Sequence, residues 1–145
     1  MQFLESLKEY GCNIDVGLER LKGKTDFYKR LISKFPEVIE ENECKSVLES
    51  FQIDKAIERT HLIKGVTANL SFDSLHISYT KIVDYLRQNN PQAALDEYLK
   101  INSVLFKLAK SFMFIALSKL VSNKKLIIVS LSIFFWILLY KKLKQ

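Results

Sequence analysis

In the run Arg59-Thr60-His61-Leu62-Ile63-Lys64-Gly65 a histidine is followed by lysine three residues on and by glycine four residues on. A neutral imidazole is a competent nucleophile near physiological pH. A phosphoryl group carried on its outer ring nitrogen would need space and a compensating cation. Lys64 can supply the charge. Gly65 can supply the space, although glycine in a helix interior costs roughly 1 kcal/mol relative to alanine. That cost makes sense where a second protein must come close to the imidazole. A histidine alone on an ordinary surface helix would carry none of this, so the weight falls on its helix and its flanks.

The segment from about Ile53 to Leu70 has the pattern of an amphipathic helix. At 100° per residue, Ile53, Ala56, Thr60, Ile63, Thr67 and Leu70 form one stripe, the face a bundle would bury. His61 lies on the flank of that stripe. Lys64, Gly65 and Ala68 lie further along the same side, so the ring is expected to be reachable from solvent beside a cation.

Other helices are needed to bury that stripe, and the chain offers them. Phe3, Leu4 and Leu7 share a face that ends at Gly11, a plausible helix end. Asp15 to Leu21 reads as a turn or two ending at Gly23. Thr25 or Asp26 is placed to cap a helix carrying Phe27, Tyr28, Leu31, Ile32 and Phe35, which Pro36 should bend or interrupt. Val47, Leu48 and Phe51 are placed to run on helically toward the histidine segment. After Leu70 the residues Ser71 to Ser74 suggest a break, followed by a stripe of Leu75, Tyr79, Ile82, Val83 and Leu86. Asn89-Asn90-Pro91 is a turn with proline at the start of the next helix, whose stripe is Ala94, Leu95, Tyr98, Ile101, Leu105 and Leu108. Phe27, Leu31, Ile63, Leu75, Ile82 and Leu105 are expected in the core. Only four glycines and two prolines argue against an all-β or loop-rich fold. The expected class is all-α, an antiparallel four-helix bundle with short N-terminal helices plus a C-terminal hydrophobic helix.

Residues Ile57 to Leu70 resemble the core signature of histidine-containing phosphotransfer (HPt) domains, AHxLKGxAxNLG. Upstream, Gly17 to Tyr28 with Leu31 and Phe35 is similar to the start of the family's second bundle helix, so the resemblance covers about residues 1–110. Two positions depart: Ser71 stands where the family usually has glycine, and Thr60 where alanine often precedes the histidine. The resemblance implies a bundle with His61 as phosphoacceptor, Lys64 offsetting charge and Gly65 giving access. Partners would be the receiver domain of a response regulator, of a hybrid sensor kinase, or both. It places the Mg²⁺ and the acidic pocket on the receiver, so no cofactor or metal is expected on this chain. No Gly-rich phosphate loop or ATP motif is visible, which makes it a phosphocarrier rather than a kinase. Ile57 and Leu62, beside His61, are candidates for the docking surface. His76, without Lys-Gly neighbours, reads as a surface or boundary residue. A helical adaptor that binds receivers or other signalling domains without phosphotransfer is the alternative.

Charge divides the chain. Through Lys110 there are 16 Lys and Arg against 16 Asp and Glu, and the net charge of +6 comes from Lys119, Lys124, Lys125, Lys141, Lys142 and Lys144. These lysines bracket a greasy tail, a membrane pattern and not a nucleic-acid one. Leu126 to Tyr140 is a 15-residue uncharged run, about 22 Å as a helix against a hydrocarbon core of ~30 Å. Snorkelling lysines can extend it, with Trp136 and Tyr140 at the interface. The expected division is a bundle over 1–110, a linker or helix extension over 111–124 and a C-terminal membrane anchor over 125–145, with the bundle in the cytoplasm. Cys12 and Cys44 have neither paired nor metal-ligand spacing and fit a reducing compartment.

Overall fold

A computed structural model describes residues 4, 5 and 7–122, with side chains through residue 113. It divides into two compact units, one up to Ile101 and one from Asn102. All regular structure among the described residues is helical, as expected, with a single antiparallel bridge between Cys12 and Phe72. A 3-10 turn, Leu7–Tyr10, leads to α1 (Ile14–Arg20), α2 (Thr25–Glu41), α3 (Lys45–Glu49), α4 (Ile53–Asn69), α5 (Asp73–Arg87) and α6 (Pro91–Ser122). Residues 111–122 therefore continue α6. The expected anchor over 125–145 lies outside the described residues, and no described helix is long and apolar enough to cross a membrane.

The expected face of α4 is the one that is buried: Ala56, Thr60, Ile63, Thr67 and Leu70 are all covered, while Ile53 at its start is half-buried. Two threonines can sit there because their hydroxyls find partners inside the helix. Thr60 Oγ1 donates to the Ala56 carbonyl at 2.6 Å, and Thr67 Oγ1 to that of Ile63 at 2.9 Å. Tyr28, Ile32 and Phe35 of α2 and Leu75, Tyr79, Ile82, Val83 and Leu86 of α5 are buried as well. Phe35 stacks on Phe72 with ring centroids 4.9 Å apart.

Five sequence expectations need correction. Phe27 is 41% exposed, with the Arg30 guanidinium 5.7 Å from its ring centre, because Tyr28 and Ile32 take the inward positions of α2. Leu31 is only half-buried for the same reason. The α2 cap is Lys24, and Pro36 does not end the helix, which runs five residues further. Finally, α3 does not join α4: Phe51 turns the chain at φ +53° and is 52% exposed. Ile63, Leu75, Ile82 and Leu105 are buried as expected.

The helix ends share one device. α1, α3, α4 and α5 each close with a residue in the left-handed region, Lys22, Phe51, Ser71 and Asn89, at φ between +53° and +57°. At each, the next backbone N–H reaches a carbonyl five residues back, as from Phe72 to Thr67 at 2.9 Å and from Asn90 to Tyr85 at 2.9 Å. These are Schellman caps, which glycine ordinarily completes. None of the four is glycine here, and only asparagine visits this conformation readily. Ser71 bears the largest burden, since its hydroxyl is also buried without a hydrogen-bond partner. Ser71→Gly removes a left-handed Cβ and an orphaned hydroxyl, offset in part by a freer unfolded chain. We expect it to stabilise the protein by about 1 kcal/mol, read as a higher denaturant midpoint at unchanged slope.

Candidate functional site

The α4 residues opposite the buried stripe make the site. His61 is exposed, as are Leu62 (43%) and Gly65, whereas Ile57, Lys64 and Ala68 are half-covered at its edge. The resemblance-derived trio is therefore brought together on one surface, His61 and Gly65 outward and Lys64 flanking them. Helical spacing puts the Cβ atoms of His61 and Lys64 about 5–6 Å apart. No ion pair engages Lys64 among the described residues. A Cβ built at Gly65 would meet nothing within 4 Å. Nothing among the described residues requires a glycine there.

Two residues that sequence reasoning did not assign to the site hold its helix. His76, on α5, donates from Nδ1 to the Lys64 carbonyl at 3.1 Å. A carbonyl can only accept, so the ring carries its proton on Nδ1. The signal was in the spacing: residues 64 and 76 stand six positions either side of Leu70, where the chain reverses. Arg20, at the end of α1, donates to the Ala68 carbonyl. It adds a cation to the face that carries His61, about 10 Å along the helix axis.

The far end of α4 is fixed from the N-terminal segment. Tyr28 donates from its hydroxyl to the Leu70 carbonyl at 2.8 Å, and the Cys12 thiol lies 3.5 Å from the same oxygen. Asn13 N–H donates to the Ser71 carbonyl at 2.7 Å, and Asp73 N–H to that of Gly11 at 3.0 Å. Gly17 lets the Tyr28 ring in, for a Cβ there would fall 2.5 Å from the phenolic oxygen. Burial, and then the contact with Cys12, pushes the Tyr28 phenol far above its ordinary range, so it remains a donor. Burial also raises the Cys12 thiol. It pushes the Cys44 thiol to about 12, with the Glu43 charge adding to it. Both cysteines are thus protonated and inert near neutrality, which removes thiolate chemistry.

Among the described residues no group of His, Cys, Asp and Glu could hold a metal ion. What the arrangement offers is one accessible imidazole, cationic neighbours and open ground one turn on. No family model, curated protein or solved structure matches this chain.

Gly65 gives the site a thermodynamic signature. Because a methyl group there touches nothing, Gly65→Ala should stabilise the isolated protein by about 0.5–1 kcal/mol through helix propensity alone. Urea unfolding checks it, and a loss of stability would mean that the chain itself needs the glycine.

Proposed function

We propose that this protein is a histidine phosphotransfer protein, relaying a phosphoryl group between aspartyl-phosphate receiver domains. One observation carries the reading: an exposed imidazole stands beside an unpaired lysine and a glycine that the chain holds open at a cost to its own stability. The resemblance to HPt domains supplies the chemistry that fits it. In this reading α2, α4, α5 and the Pro91–Ile101 stretch of α6 form the antiparallel four-helix bundle of that family.

The outer ring nitrogen of His61 attacks phosphorus on the receiver's aspartyl phosphate. The P–N bond forms as the P–O bond to the aspartate breaks, and the electron pair returns to the carboxylate. The reverse step hands the group to a second receiver. Lys64 offsets the phosphoryl charge, but at an exposed site such a contact contributes only ~0.2–1 kcal/mol. Alignment of the two reacting atoms by docking matters more. Gly65 and Ala68 leave the partner room to come within bonding range, and Ile57 and Leu62 give it apolar surface.

The tail over 125–145 is proposed to tether the bundle to the cytoplasmic face of a membrane. Confinement there would raise its effective concentration near a membrane-bound sensor kinase.

Incubation of the full-length protein with phosphorylated receivers tests the assignment. His61→Gln should abolish acid-labile labelling. Lys64→Ala should slow transfer severalfold, corresponding to its ~0.2–1 kcal/mol, without ending it. Equal labelling of the His61→Gln protein would remove the proposal, and receiver binding without any exchange would point to a helical adaptor.

A further inference from the structure

Between the end of α1 and the start of α2 lies a cavity of ≈ 400 Å³ lined by Arg20, Leu21, Lys22, Lys24, Phe27 and Arg30. Its charge is concentrated. From Arg20 to Arg30 there are five cations and one carboxylate, Asp26, whereas the chain through Lys110 is neutral. Asp26 is placed against Lys29, which does not line the cavity. The four lining cations are all exposed, and none pairs with a carboxylate among the described residues. Phe27, with 41% of its surface exposed, presents an aromatic face at the cavity under the Arg30 guanidinium.

Unpaired arginine next to an exposed aromatic ring is the composition of a protein-binding hot spot more than of a solvated surface. Position adds to composition. The Arg20 guanidinium bonds the Ala68 carbonyl, so this recess borders the end of the α4 face that carries His61.

We infer that this corner is a second anchor for the phosphotransfer partner, a cationic recess that takes a carboxylate-rich loop of the incoming receiver while His61 meets its phosphoaspartate. The inference rests on the phosphotransfer reading and gives its partner a chemistry: acidic side chains at about 10 Å or more from the reacting aspartate, since His61 to Ala68 already spans that distance along the helix axis. An arginine beside an exposed aromatic ring favours a protein loop here over a bilayer surface. Long-range attraction at this corner would speed encounter with the receiver.

Charge reversal at three residues that leave the α4 contact intact, Lys22→Glu, Lys24→Glu and Arg30→Glu together, tests it in the full-length protein. The neutral set Lys22→Gln, Lys24→Gln and Arg30→Gln serves as an intermediate, and circular dichroism confirms the fold of both. Transfer from each phospho-receiver of the same genome is followed as receiver concentration is varied. Phosphoramidate, a small donor that needs no docking, reports His61 itself.

The expected result is a loss of about tenfold or more in second-order transfer rate at low salt. The neutral set should lie between, and the difference should fade near 1 M salt, where screening shortens to ~3 Å. The rate at saturating receiver and the labelling by phosphoramidate should be unchanged. Transfer kinetics equal to wild type would overturn the inference and leave the phosphotransfer reading standing. So would a variant that transfers normally but loses binding to phosphatidylserine vesicles, which would assign the corner to a lipid surface. If no receiver labels the wild-type protein, the phosphotransfer reading fails and this inference fails with it.

Discussion

The carbonyl oxygen of Leu70 is where the fold converges. It ends α4 in the protein interior, where an unpaired acceptor would cost about twice what an ordinary hydrogen bond contributes. The Tyr28 hydroxyl satisfies it, brought there by Gly17, with the Cys12 thiol alongside. The buried stripe of α4 is covered by its neighbours in the bundle, and the opposite side of α4 is left to solvent. His61 is exposed as a consequence. Its outward position follows from its place on the helix, away from the buried stripe.

That arrangement separates structural demands from chemical ones along a single helix. Thr60 and Thr67 turn their hydroxyls back into the helix and serve as core. One residue after Thr60, His61 contributes nothing to packing. Gly65 contributes less than nothing, since alanine would fit and would favour the helix. In the phosphotransfer reading, the open ground that Gly65 leaves is where the docking receiver would approach. The cationic recess beside Ala68 extends the same logic, for unpaired charges of one sign also await something from outside.

Much of this was legible in the residues. The 3.6-residue periodicity of Ile53 to Leu70 located α4, its buried stripe and the exposure of His61, because a helix face is a local property. Local composition misled where neighbouring residues compete for one direction: Phe27 reads as core, yet Tyr28 occupies the inward position and also carries the hydroxyl that Leu70 needs. Pro36 reads as a break, but it removes only one backbone donor, and α2 continues to Glu41. The long-range tie from Arg20 to Ala68 could not be read from periodicity, since it joins residues 48 positions apart. Ser71 was visible as a departure from the glycine expected there, and the structure shows its consequence: a serine forced to φ +57° to complete the cap.

The central claim is that the ring of His61, and not that of His76, receives phosphate from another protein. The most direct measurement is a phosphotransfer profile with the site mapped: the full-length protein is incubated with each phospho-receiver of its genome, and the phosphorylated nitrogen is located by ³¹P NMR and peptide mass spectrometry under alkaline conditions. The account predicts a phosphoramidate signal confined to His61 with one or a few receivers. Phosphate on His76, or none on either ring with every receiver, would contradict it.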